Sequence, residues 1–227
     1  MDQNPILISN NKIEIIQPPE IVFERGELGM ILSYEVKRPD GSIRLQGIQK
    51  GHSFVKQYIQ LWYVKAAGRS SYYPWKQGAN KYPIVDTYGV TKYAYDEDAA
   101  YWGTFAAGVG VDTIGIVIGT GDTTVAITQY ALTSKILHGT GVGALQYSVQ
   151  SYGAPSATST MANFVVSRDF TNGSAAPVVI KEAGIYAYCY SPVFYIMIIR
   201  DLVNSPAWVT LAVAETMALH YKFQTTI

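Results

Sequence analysis

The chain has 227 residues, a formal net charge of +0 and 15% charged against 48% hydrophobic residues, where soluble domains usually carry about 25% charge. That length supports one large core, and no Pro/Ser-rich linker divides it, so a single domain over residues 1–227 is expected. The basic residues are not grouped, which leaves little electrostatic footprint for nucleic acid. A near-neutral surface poor in charge favours association instead.

The start, MDQNPILISNN, lacks a basic region followed by an apolar stretch, so no signal peptide is expected. Residues 12–17 (KIEIIQ) and 30–36 (MILSYEV) read as short strands. The second runs into Arg38-Pro39-Asp40-Gly41, a turn with Pro at a pre-set φ and Gly where φ is positive. A hairpin partner follows at 42–48. From His52 to Ala67 the apolar period changes to three and four residues, with Phe54, Tyr58, Leu61 and Trp62 beside Val55, Ile59 and Val64. That spacing predicts one helix over 52–67, started by Gly51 or Ser53 and stopped by Gly68.

Residues 69–112 are rich in Tyr, Gly, Pro and Lys without a steady period and read as a Tyr-rich insertion. They hold much of the chain's 18 Tyr, including Tyr88. Tyr72, Tyr73, Trp75, Tyr82, Tyr93, Tyr95, Tyr101 and Trp102 are its candidate interface residues, because Tyr and Trp join an apolar body to a polar tip. Packing of the insertion onto its own domain is the plainer alternative.

The run 113–121 (TIGIVIGTG) reads as an apolar strand ending in a tight turn, and a short arm spans Ala131 to Leu137. Strand-like runs then recur to the end: ALQYSVQSY, TSTMANFVVSRDF with the turn Thr171-Asn172-Gly173-Ser174, APVVIKEAGIYAY, FYIMIIRDLV, AWVTLAV and ETMALHYKFQTTI. Turn signals every 8–15 residues or so predict a mainly β fold, an antiparallel, jelly-roll-like β-sandwich. The imperfect alternation of Phe164, Val166, Arg168 and Phe170 suggests strands covered on both faces. Pro192, Arg200 and Asp201 interrupt the longest apolar stretch, so no membrane insertion is expected.

The chemical motifs are weak. Gly119-Thr120-Gly121-Asp122-Thr123-Thr124 lacks the Lys of a phosphate-binding loop, and Gly139, Gly141 and Gly143 lack dinucleotide-loop spacing. Asp96-Glu97-Asp98 reads as a solvated loop, and His52, His138 and His220 have no ligand spacing. A single cysteine, Cys189, excludes an intrachain disulfide and a cysteine zinc site. Arg168-Asp169 and Arg200-Asp201 read as structural charge pairs leaving a sheet edge, where they could stabilise a subunit contact, although an exposed pair is worth only about 0–1 kcal/mol. The expectation is a non-enzymatic protein without a cofactor.

From Ile116 onward the succession IVIGTGDTTVAITQYAL, LQYSV, FVVSRDFTNGS, VVIKEAGIY, IIRDLV and a last strand ending in YKFQ, with GHSFVKQYIQLWYV before it, resembles tailed-bacteriophage virion structural proteins. The shared motifs are architectural: Asn172-Gly173 as a turn, Lys181-Glu182-Ala183-Gly184 as a bend, Arg200-Asp201 at a strand end. The resemblance implies a β-sandwich attached to the capsid or tail of a virion and made in the host cytoplasm. Its implied partners are further copies of itself and other virion proteins. A module binding a host surface glycan through its aromatic residues is the alternative.

Overall fold

The computed structural model describes residues 21, 23–51, 54–66, 82–94, 104–189 and 193–226. The expected strand at 12–17 lies outside these residues, as do Ser53 and Gly68. In chain order come β1 (Leu28–Lys37), β2 (Ile43–Gly51), the helix α1 (Lys56–Ala66), β3 (Tyr82–Val85), β4 (Thr91–Ala94) and β5 (Gly115–Gly119). Then follow β6 (Gln146–Tyr147), β7 (Ser151–Tyr152), β8 (Ser156–Ala157), β9 (Met161–Thr171) and β10 (Val178–Ile180). The last strands are β11 (Glu182–Cys189), β12 (Phe194–Leu202), β13 (Val209–Leu211) and β14 (Thr216–Thr226). The fold is mainly β, antiparallel and sandwich-like, with the helix where the apolar period placed it.

The first hairpin forms for the reasons visible in its turn. The Arg38 amide donates to Ser42 O at 2.9 Å, Asp40 Oδ1 accepts from the Ser42 amide at 2.8 Å, and Gly41 sits at φ +83°, where a side chain is strained. Gly51 closes β2 and does not start the helix.

The larger sheet runs β2-β1-β14-β9, with the short β6, β7 and β8 all on the far side of β9. Period-two alternation puts one face of each long strand inward. Met30, Leu32, Tyr34 and Val36 of β1 stand opposite Phe223, Tyr221, Leu219 and Met217 of β14, and these in turn stand opposite Phe164, Val166, Arg168 and Phe170 of β9. The smaller sheet, β12-β11-β5, is buried on both faces along nearly all of β11 and β12. Its side chains and those of the larger sheet form one continuous core. The bend expected at residues 181–184 falls at Lys181, where the chain leaves β10, paired with β13, and enters β11, paired with β12 and β5.

The charge pairs correct the sequence expectation. Only Asp169 is exposed; Arg168, Arg200 and Asp201 are buried. Arg168 stands on the core face of β9, 1% exposed, so the alternation there is regular once this arginine is counted as inward. Each of its five N–H groups meets a backbone carbonyl. Nε donates to Ser148 O at 2.9 Å, Nη1 to Ile114 O and Ile116 O at 3.2 and 3.0 Å, and Nη2 to Gly108 O and Val111 O at 3.0 and 2.6 Å. The guanidinium also lies 4.8 Å from the Tyr147 ring centroid, a cation–π geometry. Burial pulls its pKa down to about 10, while Tyr147, Asp112 and Tyr152 pull the other way, so it stays charged near neutral pH.

A lysine has three donors for these five acceptors. Arg168→Lys therefore strands at least two buried carbonyls at about 1–3 kcal/mol each, and the unfolding free energy from urea titration falls by about 2–5 kcal/mol. A loss below 0.5 kcal/mol or so would show that the carbonyl cage is not a stabilising element.

Candidate functional site

Arg200 anchors a second loop. On the outer face of the smaller sheet its Nε and Nη2 both reach Glu182 Oε2 at 2.8 Å. Nη1 donates to Thr123 O and Gln129 Oε1, and Nη2 to Thr123 Oγ1 and Thr133 Oγ1. Glu182 in turn accepts the amides of Gly121, Thr133 and Ser134 at 3.2, 3.1 and 2.8 Å. A Cβ on Gly119 or Gly121 would collide with that carboxylate. The glycines expected to form a tight turn thus open a longer loop, because the chain wraps the Glu182–Arg200 pair before returning along β5. The return places Ile136 N–H on Ile118 O at 2.9 Å and bridges Gly119 to Lys135.

This loop lies next to α1 and the β3–β4 hairpin. The Lys56 amide donates to Ile127 O, the Tyr130 ring lies against Gly89, and the Tyr63 and Tyr82 rings sit 4.9 Å apart. In the hairpin turn, buried Asp86 accepts the Tyr88 and Val90 amides at 2.9 Å through Oδ1, and Gly89 takes φ +78°. The turn therefore holds Tyr88 outward, 77% exposed. Helix α1 buries Gln57, Leu61 and Val64, but Ile59 and Trp62 are 64% and 57% exposed. With Val90, Tyr93, Ile127 and Tyr130, these side chains give neighbouring elements an exposed aromatic and aliphatic surface.

Behind Tyr88 is a cleft of about 150 Å³ bordered by Thr87, Thr113, Lys135, Tyr186 and Tyr195. The Thr87 amide donates to Tyr195 O, and Tyr186 Oη accepts the Leu132 amide at 2.9 Å. Lys135 Nζ donates to Asp112 O and Oδ1 at 2.8 and 3.0 Å. Burial opposes charge on Asp112, yet the His138 amide and Lys135 outweigh it and hold this carboxyl below the usual range.

Of the predicted interface residues, Tyr72, Tyr73, Trp75, Tyr95, Tyr101 and Trp102 lie outside the described residues, together with the acidic run 96–98 and His52. Tyr82 packs half-buried on Tyr63, and Tyr93 is 53% exposed. The sequence reading named Ile59 and Trp62 only as part of the helix's apolar spacing and did not single them out as surface residues. The buried set 57, 61 and 64 leaves 59 and 62 on the opposite side of a 3.6-residue wheel. His138 Nδ1 accepts the Tyr147 amide at 3.1 Å. Ser167 Oγ and His220 Nδ1 are 2.6 Å apart on the outer face of the large sheet, a cross-strand pair. Burial pushes the Cys189 thiol up to about 12, far from reactive thiolate. No family model, no curated protein and no solved structure matches the chain.

The buried phenols give a pH dependence. Burial raises the pKa of Tyr34 to about 12 and those of Tyr147 and Tyr186 further. Tyr221 is raised by burial first and the Asp201 charge second. A raised folded-state pKa gives stability that is complete below the unfolded value near 10 and is lost as pH climbs through the folded value. Arg168, lowered, contributes the opposite sign but is one group against these four phenols and the raised Cys189 thiol. Stability therefore falls above about pH 10, and the four phenols ionise together with unfolding. Phenolate absorbance should contain a step coincident with loss of the β circular-dichroism signal; a single reversible step with β signal intact would contradict this.

Proposed function

We propose that this chain is a structural protein of a tailed-phage virion that attaches to the capsid or tail and associates with copies of itself. The observation that carries the reading is an inversion of the usual distribution. Six charged side chains, Asp86, Arg168, Glu182, Arg200, Asp201 and Glu215, are buried, while Ile59, Trp62, Tyr88, Val90, Tyr93 and Ile127 are exposed. A chain already poor in charge thus withdraws part of it from the surface and leaves apolar groups outside. Such patches mark interaction sites, and neighbouring subunits in a shell or tail are the partners that cover them permanently. The resemblance from Ile116 onward and the architectural nature of its motifs support the same reading.

The test is native mass and negative-stain electron microscopy of the purified protein and of an Ile59→Ser/Trp62→Ser variant. Discrete rings, trimers or tubes are expected for the parent. The variant should shift towards the 24.9 kDa monomer with its β signal unchanged. A monomeric parent, or a variant that assembles as before, would count against this surface as the contact.

The cleft favours one second reading. Tyr88 and Tyr195 with Thr87, Thr113 and Lys135 border a space suited to a sugar ring, since aromatic faces take its C–H surface and hydroxyl or ammonium groups take its polar edge. A host surface glycan would then bind there, and Tyr88→Ala should abolish binding of host polysaccharide in a titration followed by intrinsic fluorescence. A flat titration of the parent across varied glycans would retire it.

A further inference from the structure

A strand edge left without a partner presents a row of unpaired N–H and C=O groups, and folded proteins usually break, cover or charge it. Three of the four edges of the two principal sheets are closed in this way. Beyond β9 the large sheet ends in three two-residue pieces, β6, β7 and β8, that cannot extend a ladder. The β12 edge of the smaller sheet is covered by residues 54 and 55, with Phe54 bridged to Ile199 and the Val55 amide on Ile198 O at 3.2 Å. The β5 edge is covered by the returning arm through the Gly119–Lys135 bridge and the Ile136 amide.

The fourth edge, β2, is different. It runs for nine residues, eight of them paired with β1, and among the described residues its backbone makes no other hydrogen bond. No proline interrupts it, and its one irregularity lies at its start, opposite Val36 and Lys37. Its two charges are already engaged: Arg44 holds Glu215 through Nε and Nη2, and Lys50 holds Glu27 at 2.7 Å. The middle, Leu45-Gln46-Gly47-Ile48-Gln49, is neutral. The core side of this stretch is fixed, since Gln49 bridges Leu202 O and the Asn204 amide and a Cβ on Gly47 would overlap the Tyr34 ring.

We infer that β2 is the docking edge for a second copy of this chain, which adds its own β2 antiparallel across a two-fold axis normal to the sheet. The occupant follows from the closed edges. A head-to-tail contact would need a second open principal edge, and β6 to β8 do not supply one, whereas an isologous contact needs only β2 itself. Directly opposed residues in an antiparallel pair point to the same face, and a two-fold axis normal to the sheet preserves faces. The two position numbers of each opposed pair therefore sum to an even number, and the axis passes midway between one residue and its own copy. The inference rests on the reading of the chain as self-associating and adds a contact separate from the aromatic face.

Cysteine cross-linking tests it, because Cys189 is buried and supplies no accessible thiol. Gln46→Cys, Ile48→Cys and an equimolar mixture of the two cover axes at residues 46, 48 and 47, and opposed Cβ atoms in such a pair approach disulfide distance. Ser156→Cys, on exposed β8 at the far end of the large sheet, is the control. One of the three arms should give a disulfide-linked dimer on mild oxidation, at a yield at least about ten times the control, and should keep it in the Ile59→Ser/Trp62→Ser background. A parent that is multimeric by native mass while no arm exceeds the control would overturn the β2 contact and leave self-association standing. A monomeric parent without cross-links would overturn both, and a cross-link lost in the Ser background would overturn β2 as a separate contact.

Discussion

A guanidinium placed on the core face of a sheet must satisfy five N–H groups without water, and Arg168 does so with five carbonyls from residues 108, 111, 114, 116 and 148. Among the described residues no carboxylate pairs with it directly. The cation instead gathers backbone dipoles, and segment 108–116 takes the path that lets those carbonyls converge. Charge–dipole bonds of this kind are worth more than neutral ones in a low dielectric. Because β5 begins at Gly115, the arginine of one sheet sets where a strand of the other starts. The layers are thus held in register by a polar tie inside an apolar core.

Arg200 and Glu182 repeat the arrangement on the opposite side of the smaller sheet. There the cation has a carboxylate partner, and what the pair organises is again backbone: the amides of Gly121, Thr133 and Ser134 on one side, the Thr123 carbonyl on the other. A buried ion pair of this kind is weak evidence for stability in itself, since desolvation offsets much of the attraction. Its effect is conformational. It fixes a loop that carries Ile127 and Tyr130, and that loop adjoins the helix and hairpin bearing Trp62 and Tyr88. Interior charge and exterior apolar surface are consequently linked through the same loop.

Much of the fold is legible in the sequence, because local signals and packing agree there. Arg38-Pro39-Asp40-Gly41 makes its hairpin, the three- and four-residue apolar period makes α1, and the β-rich runs from 144 onward become β6 to β14. The break at Lys181 falls within the bend that the resemblance implied at residues 181–184, whereas the run APVVIKEAGIYAY by itself reads as unbroken. Asn172 does more than turn the chain: its Nδ2 donates to Ala176 O and Leu211 O at 2.9 Å, tying the turn to β13. What failed was the reading of charge. An arginine followed by an aspartate at a strand end looks solvent-facing by composition, and only the tertiary arrangement of distant carbonyls makes burial of Arg168 or Arg200 favourable. The outward face of α1 failed for the complementary reason: apolar residues all round a short helix leave its buried side undetermined until the sheet beneath it is known.

These features bear on how a chain with so little surface charge avoids pairing indiscriminately. Proteins commonly guard strand edges with lysines or inward-pointing charges, but here the charges that might do so are committed to the interior or to ion pairs. The guarding is done by covalent connectivity: the 54–55 segment on β12, the returning arm on β5, and the fragmentation of the strand beyond β9 into three pieces. One of these devices depends on a buried anchor, since the arm on β5 continues from the loop that Arg200 and Glu182 hold. An edge closed by chain geometry remains closed at any salt concentration, unlike one protected by charge. Among the described residues the same economy leaves β2 and the aromatic face without such cover.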